Sequence, residues 1–267
     1  MMAICEAIFG ILIIVIVLLD VFQMVIVPRQ SPRTLRISVL LSRLFWLPWR
    51  QLSLHSGMRH EYLLGIFAPL LLMLMLTVWV IALIVGYALI LYALQDSIQP
   101  AIRDFATALY LAGTSLFTIG FGDFVPIGIA RIVTLAAAGS GLTVMSLVIA
   151  FFFSLYSSLQ HREVFVNLVE ARAGSPPSGV TLLETYARLK ILDQLPHDIG
   201  DWEVWAVEIL ESHRAYPILS FFRSTLEDNS WISTLGAMLD ACTLLLTTVQ
   251  TEHIAVLSWV QYSSSSG

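Results

Sequence analysis

Charge is scarce in this sequence. Only 12% of its 267 residues are Asp, Glu, Lys or Arg, 57% are hydrophobic, and the mean hydropathy is +0.82. A water-soluble domain needs far more charge to cover its surface, so most of this surface is expected to face lipid. Cysteine is nearly absent as well. Cys5 and Cys242 are expected in different compartments and at no metal-like spacing, which excludes a disulfide framework. No Asn-x-Ser/Thr acceptor occurs, no Gly-x-Gly-x-x-Gly follows a strand pattern, and no calcium-loop pattern is found among the acids. His161, His197, His213 and His253 lack the i,i+4 pairing or cysteine company of a metal centre. No set of nucleophile, base and metal can be assembled, so the chain reads as a non-enzyme with no organic cofactor.

Long apolar runs are present instead, and crossing a hydrocarbon core of about 30 Å takes roughly 20 helical residues. The first run, about Ile4 to Val27, is nearly uninterrupted past Glu6 except for Asp20 and Gln23, and ends at Pro28, which cannot continue a helical ladder. Without a basic flank before it or a small-residue cleavage site after it, it reads as a retained helix, residues 1–27. Residues 28–61 then turn basic, with Arg29, Arg33, Arg36, Arg43, Arg50 and Arg59 against Glu61 alone. The positive-inside bias makes this stretch cytoplasmic and puts the N-terminus outside. The second run, Tyr62 to Leu94, brings the chain back out. A helical segment of about Phe105 to Phe117 follows, too short to span and running directly into Gly-rich chain. That is a re-entrant pattern, tolerated at membrane depth only where protein or a water-filled cavity surrounds it. The third run, Ile129 to Ser158, returns to the cytoplasmic side.

The Gly-rich stretch is Thr118-Ile119-Gly120-Phe121-Gly122-Asp123. A cation leaves water only if oxygens replace its hydration shell, and rings of inward-facing backbone carbonyls do so. Facing successive carbonyls one way requires alternating backbone hands, which Gly120 and Gly122 accept. Thr118 can add its hydroxyl as the innermost ligand, Ile119 and Phe121 point away, and the carbonyl end of the preceding helix favours a cation.

These six residues, between two membrane helices, resemble the potassium-channel pore family, whose filter usually reads Thr-Val-Gly-Tyr-Gly-Asp. The resemblance covers about Tyr62 to Ser158, a pore domain of residues 62–158 with outer helix, pore helix, filter and inner helix. It implies K+ bound by the carbonyls of Thr118, Ile119, Gly120 and Phe121, with Gly122 and Asp123 in support at the outer mouth, and a homotetramer in the plasma membrane. This chain has Phe121 where the family has Tyr, Tyr110-Leu111 where it has an aromatic pair, and Phe117 before Thr118 where it usually has Thr. The phenolic bond bracing the filter is therefore expected to be lost. Gly139 and Gly141 stand where the family often has a hinge glycine; tight helix packing explains them equally well. Phe151-Phe152-Phe153 could form an apolar constriction that gates by dewetting, or could face lipid.

Arg29, Arg36, Arg43 and Arg50 recur every seven residues and form a slowly drifting helical stripe. A voltage sensor needs arginines about three apart in an unbroken spanning helix, whereas Pro28, Pro32 and Pro48 interrupt this one. An amphipathic helix on anionic lipid of the cytoplasmic leaflet fits better, with Trp46 and Trp49 at headgroup level. Asp20, deep in an apolar helix, is expected to pair with Arg29 or Arg36 or to snorkel with Gln23.

Residues 159–180, with the turn formers Gly174 to Gly179, read as a linker, and 181–262 as a small helical cytoplasmic domain that regulates opening or holds four chains together. Tyr186, Leu189, Leu192 and Leu195 form one apolar stripe there, Trp202, Trp205 and Ile209 another, and Leu235, Leu239 and Leu246 a third. From His161 onward 13 acids face 6 Lys+Arg, so a nucleic-acid partner is not expected. Ser263 to Gly267 (263–267) reads as a disordered tail or cloning remnant. The fold class expected is an all-α membrane protein with three transmembrane helices, a re-entrant pore helix and a helical cytoplasmic domain. Rival readings are a potassium transporter subunit, a weakly selective cation channel, and a non-conducting receptor.

Overall fold

The structure is a computed structural model and describes residues 2–25, 44–51, 60–222 and 230–247. It is almost wholly helical, and three helices are long and apolar enough to cross a membrane. These are α1 (Met2–Val25), α2 (His60–Ala93) and α4 (Ala130–Ala173), with the short α3 (Phe105–Leu116) between the last two. The chain is an all-α membrane protein. Three further helices follow: α5 (Gly179–Leu189), α6 (Leu195–Ala215) and α7 (Trp231–Thr247). Residues 44–51 are also helical, across Pro48, which therefore does not break the chain there. Arg50 is exposed on this stretch; Arg29, Arg36 and Arg43, with most of the expected amphipathic linker, lie outside the described residues.

The chain divides into two compact units, the first comprising Met1–Leu52 and Pro69–Phe153 and the second Ser53–Ala68 and Ser154–Gly267. In the first unit, α1 and α2 approach until backbone meets backbone. A Cβ on Gly10 would stand 2.5 Å from the Gly86 carbonyl oxygen, and one on Gly86 would stand 2.8 Å from Ile14. With no water to drive helices together in lipid, small residues that permit such close packing are what associates them. The same pair of helices is joined by Trp79, whose indole N–H donates to Asp20 Oδ2 at 2.8 Å. Asp20 is only 5% exposed, so it does not snorkel to headgroups; its described partner is this indole, while the expected partners Arg29 and Arg36 fall outside the described residues. Val17 and Val21 of α1, Leu83 and Leu91 of α2, Leu111 and Leu116 of α3 and Val144 of α4 share one core. The Tyr87 hydroxyl adds a bond to the Ala136 carbonyl at 3.2 Å.

In the second unit the end of α4 corrects the expected boundary. The helix does not stop at Ser158 but continues to Ala173, so residues 159–173 of the expected linker are helical. Val166, Val169 and Ala173 bury there against Leu182, Tyr186, Leu195, Trp202 and Trp205. Polar residues after Ser158 mark a change of solvent and leave the helical period intact. The turn itself is confined to Gly174–Ser178, where Gly174 takes φ 80° and Gly179 opens the next helix. Gly179 lies so close to α7 that a Cβ would meet the Ala241 amide at 2.6 Å.

The stripe expected through Tyr186, Leu189, Leu192 and Leu195 is split. α5 ends at Leu189 with Lys190 left-handed (φ 58°), so Tyr186 and Leu195 are buried while Leu189 and Leu192 are exposed. Trp202, Trp205 and Ile209 do share a buried face of α6. On α7 the buried residues are Thr234, Ala237, Met238, Ala241 and Leu245, and Leu239 is exposed. Asp198 ties α6 to the end of α4 and to α5: Arg172 Nη1 donates to its carboxylate at 2.7 Å, and the Tyr186 hydroxyl donates to the same oxygen. Burial, then that bond to Asp198, pushes the Tyr186 phenol well above its ordinary pKa.

Gly10→Val or Gly86→Val is expected to loosen α1 from α2 at a cost of roughly 1–3 kcal/mol. Gly236→Ala, at a position with nothing within 4 Å, should leave stability unchanged or slightly higher. Unfolding of the three variants in detergent micelles measures the difference.

Candidate functional site

The segment holding Thr118 to Asp123 is anchored before and behind. A two-residue antiparallel pairing of β1 (Ile98–Gln99) with β2 (Val125–Pro126) sets Ile98 opposite Pro126 and Gln99 opposite Val125, and the Ile127 amide adds a bond to the Ser97 carbonyl at 2.8 Å. The chain between therefore returns to the place from which it departed. Asp104 caps α3, its carboxylate accepting from the Thr107 amide at 2.7 Å and from the Thr107 hydroxyl. Those bonds, the amide's first, hold the Asp104 carboxyl below its ordinary pKa. At about 1.5 Å per residue this helix cannot cross a bilayer.

Where α3 ends, its last carbonyls are used to hook the chain back. The Thr118 amide donates to the Ser115 carbonyl at 2.9 Å, and the amides of Ile119 and Gly120 both donate to the Thr114 carbonyl, at 2.8 and 3.3 Å. Thr118, Gly120 and Gly122 are left-handed, with φ of 56°, 54° and 82°, while Ile119 and Phe121 between them are not. A left-handed conformation costs a residue with a Cβ roughly 1–2 kcal/mol, so at Thr118 the backbone is held against its own preference by the bonds to α3. Among the described residues no hydrogen-bond donor reaches the carbonyls of Thr118, Ile119, Gly120 or Phe121. Such an arrangement can offer oxygens to a cation, since a carbonyl without a donor is open to another partner.

Side-chain support comes from Tyr110, the aromatic half of the Tyr110-Leu111 pair. Tyr110 of α3 stacks on Phe121 with ring centroids 6.3 Å apart and planes 2° from parallel, and meets Phe124 edge-on at 6.4 Å. Its hydroxyl faces Asp123. Tyr110 supplies ring packing here, while among the described residues no phenolic hydrogen bond braces Phe121. The spacing from Tyr110 to Asp123 was the available signal, but only the hooked chain brings the two together.

Each remaining candidate can now be placed. Gly141 lies against the end of α3, where a Cβ would stand 2.0 Å from the Leu116 carbonyl oxygen, whereas Gly139 has nothing within 4 Å. α4 is unbroken through both. Packing therefore accounts for Gly141 within the described chain. Phe117 lines an apolar cavity of about 130 Å³ together with Leu76, Val80, Leu142 and Met145. Phe151 is buried and, with Phe152, borders a smaller apolar cavity beside Met24, Pro69 and Trp79; Phe153 is 67% exposed. The three phenylalanines thus do not share one environment, as residues 100° apart on a helix cannot.

The fold and this segment define a polytopic membrane protein with a short helix and a hooked, alternately handed strand between two spanning helices. Residues 70–158 match the family described as "Ion channel", which bears out the resemblance to the potassium-channel pore family over that segment. The chain is also 26% identical over 208 residues to "Uncharacterized membrane protein YdjJ" of Bacillus subtilis (strain 168), an alignment covering 74% of this chain and 58% of that protein. The chain thus spans less than two thirds of that relative's length. No solved structure gives a significant match.

Gly141→Ala is expected to displace α4 from the end of α3 and lower the yield of folded protein several-fold, whereas Gly139→Ala leaves it unchanged. Size-exclusion profiles of the two variants in detergent decide between packing and hinge. A hinge role for Gly141 without a packing role would leave its profile intact.

Proposed function

We propose that this chain is one subunit of a homotetrameric potassium-selective channel of the plasma membrane. The observation carrying this reading is the alternation of left-handed backbone at Thr118, Gly120 and Gly122, with four successive carbonyls between Thr118 and Phe121 free of hydrogen-bond donors among the described residues. Four copies around one axis would complete a ring of carbonyls at each level and replace the water of a dehydrated K+. Thr118 would add its hydroxyl at the inner end, and Gly122 and Asp123 would close the outer end, braced through Tyr110. In this reading α3 is the re-entrant pore helix, α2 the outer helix and α4 the inner helix, with α1 an addition to a two-helix pore.

With three crossings the two ends of the chain would lie on opposite sides, and the basic stretch 28–61 favours the N-terminal side outside and the C-terminal side in the cytoplasm. The arginine-bearing stretch then meets anionic lipid of the inner leaflet. The 267 residues of this sequence hold one such filter segment, where a transporter, by resemblance, has four in one chain. A weakly selective cation channel remains the natural competitor, because Phe121 replaces the usual tyrosine. The packing of Val166, Val169 and Ala173 into the second unit's core favours a tail that acts on opening, since any repacking there bears on the same helix that lines the pore.

Purified protein in liposomes is expected to pass K+ over Na+ by at least about tenfold in concentrative uptake, and Gly120→Ala to abolish the preference, because its methyl opposes φ 54°. Equal uptake of the two ions by the unaltered chain would reject potassium selectivity; a particle symmetry other than four-fold would reject the assembly.

A further inference from the structure

A second site is suggested by buried donors with nothing to bind. In the second unit a cavity of about 240 Å³ is bordered by Ser158, His161 and Arg162 of α4 and by Trp205, Glu208 and Ser212 of α6. Arg162 is only 3% exposed. Its Nε and Nη2 both donate to Glu163 Oε1, at 3.1 and 2.9 Å, and Nη2 also reaches the Phe222 carbonyl at 3.3 Å. Among the described residues its third nitrogen, Nη1, is buried and finds no hydrogen-bond partner, and the same holds for the indole Nε1 of Trp205. A buried polar group without a partner costs free energy, and more so when it carries charge. Arg162 and Trp205 both border the cavity, and each carries a covered nitrogen that a small side-chain rotation could turn toward a ligand seated there.

The chemistry of the two groups names the class of ligand. Guanidinium and indole nitrogens donate and never accept, so the complement must bring acceptor oxygens, and beside an arginine an oxyanion serves best. The other wall residues fit this. Ser158 and Ser212 carry hydroxyls already donating to Ser154 and Ile209 carbonyls, at 3.0 and 2.9 Å, and both can rotate toward a ligand. The carboxylates nearby are occupied: Glu163 by Arg162, and Glu208 by His161 Nε2 at 2.9 Å. The space is several times the roughly 30 Å³ that a water molecule occupies in the liquid. Trp205 is held by Phe165, stacked at 4.7 Å, so its indole edge is preset.

We infer that this cavity is an oxyanion site, taking a phosphate or carboxylate group between Arg162 and Trp205. The inference concerns the second unit alone and does not depend on whether the chain conducts. The oxyanion could belong to a soluble solute or to the phosphodiester of a lipid headgroup, and both present the same acceptors.

The test uses the full chain in nanodiscs of phosphatidylcholine, with thermal unfolding followed as inorganic phosphate or acetate is added to about 10 mM, and a parallel set of discs containing phosphatidylglycerol with no added anion. A saturable rise in midpoint with either solute identifies a soluble ligand; a rise confined to phosphatidylglycerol discs identifies a headgroup. In either case Trp205→Phe, which keeps the ring stack and removes the N–H, should weaken the effect about tenfold. It should leave the unliganded midpoint unchanged or higher, because one orphaned donor is gone. Arg162→Gln should abolish the response. No saturable rise in any arm overturns the site, as does a rise that both variants leave intact.

Discussion

A peptide carbonyl taken out of water must find a donor or a cation, and from Thr118 to Phe121 four in succession find no donor among the described residues. Much of the first unit can be understood as the means of holding that stretch of backbone in a shape it would not adopt alone. Free, Thr118 would leave the left-handed region at once. It is kept there because the carbonyls at the end of α3 accept the amides of Thr118, Ile119 and Gly120, and because α3 itself is fixed. Asp104 starts that helix, Gly141 lets α4 press against its last carbonyl, and Tyr110 reaches across to the rings and the acid beyond the hook. The buried faces of α2 and α4 supply the remaining support. A strained segment is stable only when its surroundings outvote it, and here they do so from several sides.

The two units solve the packing problem differently. In the first, association depends on glycines that let backbones touch and on one indole–carboxylate bond at membrane depth, as expected where lipid offers no hydrophobic gain. In the second, large side chains are buried in the ordinary way: Tyr186, Trp202, Trp205 and the end of α4 form a core against which Arg172, Asp198 and the Tyr186 hydroxyl add charge and hydrogen bonds. α4 takes part in both kinds of packing. Its sequence changes character after Ser158 without any change in its backbone.

What the sequence made legible follows from which signals are local. Apolar runs announce spanning helices by length alone, and the six residues from Thr118 to Asp123 announce themselves because glycine at alternate positions has few other uses. The end of α4 is not legible from composition, because the helix runs on to Ala173 after its residues turn polar. Charged residues at 162 and 163 signal water, yet Val166, Val169 and Ala173 keep the helical spacing. Contacts between residues distant in sequence were not legible at all: Asp20 and Trp79 are 59 positions apart, and Tyr110 meets Asp123 only because the chain turns back at Phe117. Gly139 and Gly141 could not be told apart by type, since the difference between them is only what stands opposite.

The two-residue pairing of Ile98–Gln99 with Val125–Pro126 carries one more implication. It works as a collar: whatever happens to the chain above it, the ends of the enclosed loop stay side by side. Length changes near Pro100 and Ala101 can be absorbed as slack ahead of the Asp104 cap, without moving the backbone that follows. The stretch from Phe117 to Phe124 has no such reserve, being tied at one end to α3 and at the other to the collar. Variation among related chains should therefore lengthen or shorten this loop on its entering limb and leave the returning limb at constant length.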